Sequence, residues 1–561
     1  MADTIPVNGQ PRSGDELSGQ VTSGHGGDLA MAALVRRGVG EIFTLSGGHV
    51  FPIYDACKKA GIRIVDTRHE QTAGFAAEGV AKLTRRPGVA VLTAGPGVTN
   101  GTSAITTAMF NGSPLVVLAG RAPQSRWGSG SLQEIDHLPL VAPITKSAST
   151  VFETESIPAA VESAAELALT PHRGPVFLDF PLEVMYGSAQ GAPTSLIRSP
   201  APRVPDPNQV EIAAKCLAEA SRPAVVAGGD VWWDGAWEEL RVLVEQLRIP
   251  TFVNGMGRGL LPADHELYFS RSRRLLHEAD VVAVIGSPLD FRLSFGRFGS
   301  AKVVHVTDSP ASTSAARAVD DVIVASPSGD IRLVLSLMAQ QVRKRPDHEA
   351  WIEHLLQEEG SARRAEQLEL GSGAHPIHPM RLLGEVRSRL DRDAIVIGDG
   401  GDFVSFAGKV IDSYTPGCWM DPGPFGCLGT GLGYAIAARV VHPDRQIVLL
   451  AGDGAIGFSA MDVDTLVRHK LPVVIVVGNN GIWGLEKHPM RAVYGYDVAA
   501  DLQAGCRYDL VSEALGGAGE VVTEPDAIGP ALDRGFAAGV PYLVNVVTDP
   551  DVVYPRRSNL A

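Results

Sequence analysis

Positive charge, cysteine, aromatic side chains and long apolar runs are all scarce in this 561-residue chain. Lys+Arg number 49 against 63 Asp+Glu, a formal charge of −14, which speaks against a broad electrostatic grip on a polyanion, so no nucleic acid partner is expected. The five cysteines, Cys57, Cys216, Cys418, Cys427 and Cys506, are scattered and form no CxxC pair. They read as reduced thiols, so a cytoplasmic location is expected. The opening residues, MADTIPVNGQPRSGDELSG, lack a basic start followed by an apolar run, so no export signal is expected. No segment is apolar for long enough to span a bilayer, and no membrane partner is expected.

What is present is length and glycine. The length suggests roughly three or four domains, and many of the 62 glycines directly follow runs of Val, Ile and Leu, as at strand ends that approach ligands. From about Gly27 helical patterns alternate with EIFTL, GIRIVDT, VAVLTA, PLVVLAG and PVFLDFP. The alternation restarts with PAVVAGG, IPTFVNG, DVVAVIG, KVVHVTD and DVIVAS, and again with AIVIGDGG, QIVLLAGDG, LPVVIVVGNN and PYLVNVVTD. Short buried strands separated by helices predict an α/β protein with three doubly wound parallel-sheet domains. The predicted boundaries are a flexible arm at 1–26, a first domain at 27–190, a Pro/Ser/Gly-rich linker at 191–205 and a middle domain at 206–345. A solvated helical connector at 346–374, a third domain at 375–547 and a tail at 548–561 follow.

The stretch most informative about chemistry is Gln446 to Gly481. One buried run ends at Gly452-Asp453-Gly454, and a second ends at Asn479-Asn480 after a helix-length interval. Ligands of open parallel sheets bind outside the carboxyl ends of the strands, where Asp453 and Asn480 would emerge side by side. With the backbone carbonyl of Ile482, a carboxylate oxygen and an amide oxygen make a hard-oxygen set suited to Mg²⁺. The N–H groups of Gly454 and Ala455 would then reach a phosphate at a helix start. Either polar side chain alone would read as a turn cap. The other Gly-Asp-Gly, at 398–400, has no paired asparagines at that distance.

This spacing resembles the diphosphate-binding motif of thiamine diphosphate (ThDP) enzymes. The segment Arg68-His69-Glu70-Gln71-Thr72-Ala73-Gly74 is similar to the family's glutamate motif, and TAGPGVTNG to a turn of its pyrimidine domain. The resemblance runs from about Gly27 to Val547 and implies a pyrimidine-binding first domain and a diphosphate-binding third domain. It implies that Glu70 hydrogen-bonds the aminopyrimidine, so that the cofactor loses its thiazolium C2 proton. A helix-dipole partner is the bland reading of such a glutamate. Gly401, Asp402 and Phe403 match cofactor-contacting positions, and Leu428 matches the apolar wedge under the bent cofactor. The implied cofactors are ThDP and Mg²⁺; ADP in the middle domain is left open and FAD is not expected. The family builds each site from two subunits, which implies a homo-oligomer, a dimer at least and a tetramer by expectation.

The three-domain order looks like the branch containing acetolactate synthase, oxalyl-CoA decarboxylase and 2-hydroxyacyl-CoA lyase. His49 lies where benzaldehyde lyase and its relatives carry a histidine, and Gln133-Glu134 is similar to the Gln-Glu of the synthases and lyases. His49 or Glu486 would exchange a proton with the substrate, Gln133 would hydrogen-bond it, and Glu134 would order its loop. A structural histidine, and a surface partner of Lys487, are the alternative readings of His49 and Glu486. Arg271, Arg273, Arg274, Arg556 and Arg557 are candidates to hold an acyl-CoA substrate, with the C-terminal segment as a lid. The expected reaction is cleavage of a 2-hydroxyacyl-CoA to a ketone or aldehyde and formyl-CoA. The alternatives are an acetolactate-synthase-like carboligase, an oxalyl-CoA decarboxylase-like enzyme and a non-catalytic relative.

Overall fold

The structure is a computed structural model that describes residues 22–191, 203–310, 321–342 and 347–555. The arm before residue 22, most of the linker, and Arg556 and Arg557 in the tail lie outside the described residues. Two compact units carry the fold, one holding the first large sheet and the other the second and third.

In the first unit a short antiparallel pair joins β1 (Thr22–His25) to β8 (Ser188–Gly191). The large sheet has the order β3 (Arg63–Asp66), β2 (Glu41–Thr44), β4 (Gly88–Leu92), β5 (Leu115–Arg121), β7 (Val176–Pro181), β6 (Ser147–Thr150). Every pairing in it is parallel. β4, β5 and β7 are buried along their whole length, as expected where helices cover both faces. The helix Glu70–Thr84 explains the small residues after Glu70. A Cβ placed on Gly74 would lie 2.5 Å from the Ala104 side chain of the helix Pro96–Phe110, so the two helices touch backbone to side chain.

In the second unit the middle sheet has the order β10 (Thr251–Val253), β9 (Pro223–Ala227), β11 (Val281–Ile285), β12 (Lys302–Val306), β13 (Ile323–Ala325). The last sheet has the order β15 (Trp419–Met420), β14 (Ile395–Asp399), β16 (Ile447–Gly452), β17 (Val474–Asn479), β19 (Tyr542–Val547), β18 (Ala518–Val522). Both are wholly parallel. The three-sheet α/β architecture therefore matches the sequence reading.

Two expectations need correction. The connector is one helix, Glu349–Leu370, and it is solvated on one face only. Trp351, Ile352 and Leu355 pack into the middle domain's core, and buried Glu359 accepts backbone N–H bonds from Ser270, Arg271 and Ser272. The preceding apolar stretch is a separate helix, Ile331–Gln341, with Val334, Leu335 and Met338 buried. The arginines proposed for a CoA phosphate are also largely committed inside the unit. Arg271, with its side chain 5% exposed, pairs with Glu366 and Asp412 at 3.3 Å each. Arg273 donates to the Val253 carbonyl at 2.9 Å, and exposed Arg274 pairs with Glu358. The reason for two of them is local charge balance: the connector helix brings Glu366 to Arg271 and Glu358 to Arg274.

Candidate functional site

The functional side chains collect at the carboxyl ends of the first and third sheets. In the first unit, β3 leads through Thr67 to Glu70, the first residue of its helix. His69 caps that helix, its Nδ1 accepting from Gln71 N at 3.1 Å, so Glu70 is fixed in the first turn. Its carboxylate is buried and receives Asn100 Nδ2–H at 3.1 Å.

A second polar group is built by the turns after β2 and β4. Buried His49 faces the Thr93 hydroxyl through Nδ1 at 3.3 Å, and Thr93 Oγ1 is 3.4 Å from Gln133 Oε1. Burial pulls the His49 pKa below its ordinary value, so the ring is neutral at neutral pH and can accept a proton. A Cβ on Gly120 would lie 2.3 Å from His49 Cβ, so only glycine there lets the ring sit this close to β5. Glu134 accepts N–H bonds from Gly128 and Ser131, which orders the loop carrying Gln133. His49 and Gln133 thus share Thr93, whereas Glu70 has Asn100 as its own partner.

In the second unit a cavity of about 450 Å³ lies at the ends of β14, β16 and β17. Gly401, Asp402, Leu428, Asp453, Gly454, Ala455, Ile482 and Glu486 all line it. Asp453 is buried, and its Oδ2 accepts Gly481 N–H at 2.7 Å, which ties the end of β16 to the turn after β17. Burial, opposed by the Gly481 and Gly454 N–H bonds, raises its pKa to about 6. Asn480 donates to Asp402 Oδ2 at 3.2 Å and accepts Ile482 N–H at 3.1 Å. Its neighbour Asn479 turns inward to the Cys506 and Asn545 oxygens, so the two asparagines divide between site and core.

Phe403 departs from the group it was placed in. Its ring is buried in the core, 2.5 Å from where a Cβ on Gly478 would sit, and it does not line the cavity. The helix Asp402–Val410 turns successive side chains to different faces, so Asp402 and Phe403 cannot both point outward. Glu486 is exposed at the cavity wall; Lys487 is instead paired with Asp497 and Asp501, which removes the surface-pair reading of Glu486. Sequence reasoning missed Asn100, Thr93, Trp483 and Arg292. Trp483 and Arg292 line the cavity, and a Cβ on Gly454 would lie 2.4 Å from the Trp483 ring.

The donor set fits a hard cation holding a diphosphate. A carboxylate that is costly to bury uncompensated stands at the end of β16, and an amide side chain and a backbone carbonyl stand in the turn after neighbouring β17. The cavity also falls in the size range of cofactor pockets, roughly 300–1,000 Å³. Asp453, Asn480 and Ile482 would hold Mg²⁺, and Gly454 and Ala455 would take the phosphate oxygens.

The other Gly-Asp-Gly has a different fate. Asp399 is buried and accepts N–H bonds from Gly429 at 3.1 Å and Gly431 at 2.8 Å, pinning the turn that carries Leu428. Desolvation raises its pKa from 3.8 to about 7. The folded chain therefore retains a proton that the unfolded chain releases near pH 4, so stability falls as pH rises from about 4 to 7. Thermal midpoints of cofactor-free wild type should drop across that window, and those of Asp399→Asn should drop less. Equal slopes would show that Asp399 is not the group responsible.

These two half-sites define a class. Residues 24–140 match the thiamine pyrophosphate enzyme N-terminal TPP binding domain, 210–336 the central domain and 399–546 the C-terminal TPP binding domain. The chain belongs to the thiamine pyrophosphate enzyme family. It is 53% identical over 541 residues to the Mycobacterium tuberculosis protein named acetolactate synthase large subunit IlvG, covering 96% of this chain and 98% of the relative. It is 35% identical over 551 residues to 2-hydroxyacyl-CoA lyase 2 of Caenorhabditis elegans, covering 90% and 85%. With the human 2-hydroxyacyl-CoA lyase 2 the identity is 33% over 539 residues, covering 88% and 84%.

Proposed function

We propose that the protein is a ThDP- and Mg²⁺-dependent carboligase of the acetolactate-synthase kind, which decarboxylates one 2-keto acid and adds the remaining acyl unit to a second. The reading is carried by 53% identity across nearly the whole chain to proteins bearing that name. Two structural facts support it. Arg271 and Arg273, the expected clamp for CoA phosphates, are engaged internally. Arg292, which pairs with Asp290 at 2.7 Å, is the one cation among the described residues lining the cavity, and a keto acid presents a carboxylate.

Bound ThDP would supply the carbon nucleophile and the sink for the electron pair left when a bond beside a carbonyl breaks. The chain's own residues do the rest. Glu70 holds the aminopyrimidine end by a hydrogen bond, Leu428 supports the cofactor, and Asp453 and Asn480 anchor its metal. Neutral His49 takes or returns a proton at the substrate oxygen, Gln133 orients that oxygen, and Arg292, whose Nε and Nη2 donate to Asp290, meets the substrate carboxylate through Nη1. The pyrimidine and diphosphate domains of different subunits form each site, so the working species is a homo-oligomer.

Arg292→Gln is expected to raise KM for the keto acid about 10- to 100-fold, from the ~1.5–3 kcal/mol of a hydrogen bond to a charged group. An unchanged KM would take Arg292 out of substrate binding. The decisive assay mixes the protein, ThDP and Mg²⁺ with pyruvate and measures acetolactate; none from any 2-keto acid pair overturns the proposal. A second reading, 2-hydroxyacyl-CoA lyase, is favoured by the full-length relatives of that name and by Glu486, an exposed acid at the cavity wall. Formyl-CoA from a 2-hydroxyacyl-CoA, without acetolactate from pyruvate, would select it.

A further inference from the structure

A buried relay runs behind His49 and Gln133 that the functional reading does not use. His137 is 0% exposed, and its two ring nitrogens have different partners. Nδ1 is 2.8 Å from Asp179 Oδ2, and Nε2 is the acceptor for Gly95 N–H at 3.0 Å. Accepting at Nε2 requires the proton to sit on Nδ1, where it is donated to Asp179. Asp179 is itself 0% exposed and takes Arg121 Nη1 at 3.3 Å on the same oxygen. The Arg121 guanidinium is held in turn over the Trp127 ring at 3.9 Å and against Asp136 at 3.3 Å. A buried carboxylate balanced by a cation, with a histidine between it and a backbone amide, fixes one ring orientation and one tautomer.

The amide it grips is the important one. Gly95 closes the turn after β4 that carries Thr93, and it has φ +58°. A Cβ there would lie 2.9 Å from Gln133 Cβ, so this turn and Gln133 are packed against each other. Gln133 is itself in the left-handed region at φ +61°, a conformation that persists in a non-glycine residue only when its surroundings hold it. Thr93, two residues before Gly95, is the group His49 and Gln133 share.

We propose that His137 is a positioning residue: through its bond to Gly95 N–H it sets the Thr93 turn and thereby the placement of His49 and Gln133 against the substrate. The inference rests on the reading of those two residues as substrate-facing. Because His137 lies behind them, it acts on turnover through geometry.

Two substitutions separate its two bonds. His137→Asn keeps a donor at the Nδ1 position for Asp179 and loses the acceptor for Gly95; His137→Gln restores an amide oxygen at the distance of Nε2. Hydrogen exchange in the cofactor-free protein, followed on the peptide spanning 93–98, should be at least tenfold faster in His137→Asn and close to wild type in His137→Gln. For whichever substrate wild type turns over, kcat should fall at least tenfold in His137→Asn, with the ThDP dissociation constant changed less than threefold, and recover within threefold in His137→Gln. Exchange and kcat unchanged in His137→Asn, or lost equally in both variants, overturns the proposal. Fast exchange at this peptide in wild type overturns it with no variant needed. A wild type inactive on both 2-keto acids and 2-hydroxyacyl-CoA esters would instead overturn the functional reading, and the exchange measurement would still decide the role of the Gly95 bond.

Discussion

Glu70→Gln is expected to lower kcat by about 10²- to 10⁴-fold, the range typical for losing a positioned acid or base. The carboxyl group is buried at the start of its helix with Asn100 Nδ2 as its donor, and glutamine keeps its volume. Folding should therefore be perturbed only modestly, by the ~0.3–1 kcal/mol that an acid contributes in the first turn of a helix. Proton exchange at the thiazolium C2 of added ThDP, followed by NMR in deuterium oxide, should slow in parallel with kcat. A variant retaining more than a tenth of wild-type kcat and exchange would return Glu70 to the role of a helix-dipole partner.

Asp453→Asn should weaken Mg²⁺-dependent ThDP binding by at least about 100-fold, beyond the 10- to 100-fold typical for removing a group that only supports a metal ligand. Asparagine fills the same space, but the negative charge is lost and only its oxygen can still accept Gly481 N–H in place of Oδ2. The Trp483 ring, packed against Gly454 at the cavity wall, provides a fluorescence signal for the titration. Binding of equal strength with and without the substitution would remove Asp453 from the metal site. Both tests address ThDP chemistry and are independent of which substrate the enzyme prefers, so they separate the class of protein from its reaction.

The readings of individual elements divide along physical lines. Strands covered on both faces, such as β4, β5, β16 and β17, announce themselves as unbroken runs of Val, Ile, Leu and Ala, because in a parallel sheet both sides face apolar neighbours. The strands overlooked in the large sheets were β6, β15 and β18, each at a sheet edge with a single partner, and the small β1–β8 pair was overlooked as well. SAST is polar, Trp419–Met420 is only two residues long, and AGEVV is mostly half-buried, so none carries a hydrophobic run. The connector helix was legible as a helix but not as a packed one. Its buried side chains include Glu359 and Glu366, whose burial depends on partners nearly ninety or more positions away.

The site shows the same division. Asp453, Asn480 and Glu70 stood out because strand-end glycines and helix starts give their positions a local meaning; the structure places Asp453 at the cavity, Asn480 outside its lining but bonded to Asp402, which lines it, and Glu70 in a buried first turn. The two Gly-Asp-Gly triplets are the sharper case. Spacing told them apart as motifs, but only the fold gave Asp399 its actual work of holding the Gly429–Gly431 turn. Charge was legible as a total of −14 and illegible as a distribution. Arg271 is spent on internal acids and Arg273 on a backbone carbonyl, while Arg292, which sequence reasoning passed over, lines the cavity with Asp290 as its partner.

By itself, then, the amino-acid sequence determined the three-sheet α/β architecture, which is written in short-range patterns of burial and turn geometry, and the resemblance of its motifs pointed to the thiamine pyrophosphate enzyme family. The tertiary structure alone decided which polar groups meet: His49 with Gln133 through Thr93, His137 between Asp179 and Gly95, Asp453 with Gly481. Those pairings join residues 28 to 84 positions apart in the chain, and nothing in local sequence encodes which distant partner will satisfy a buried donor.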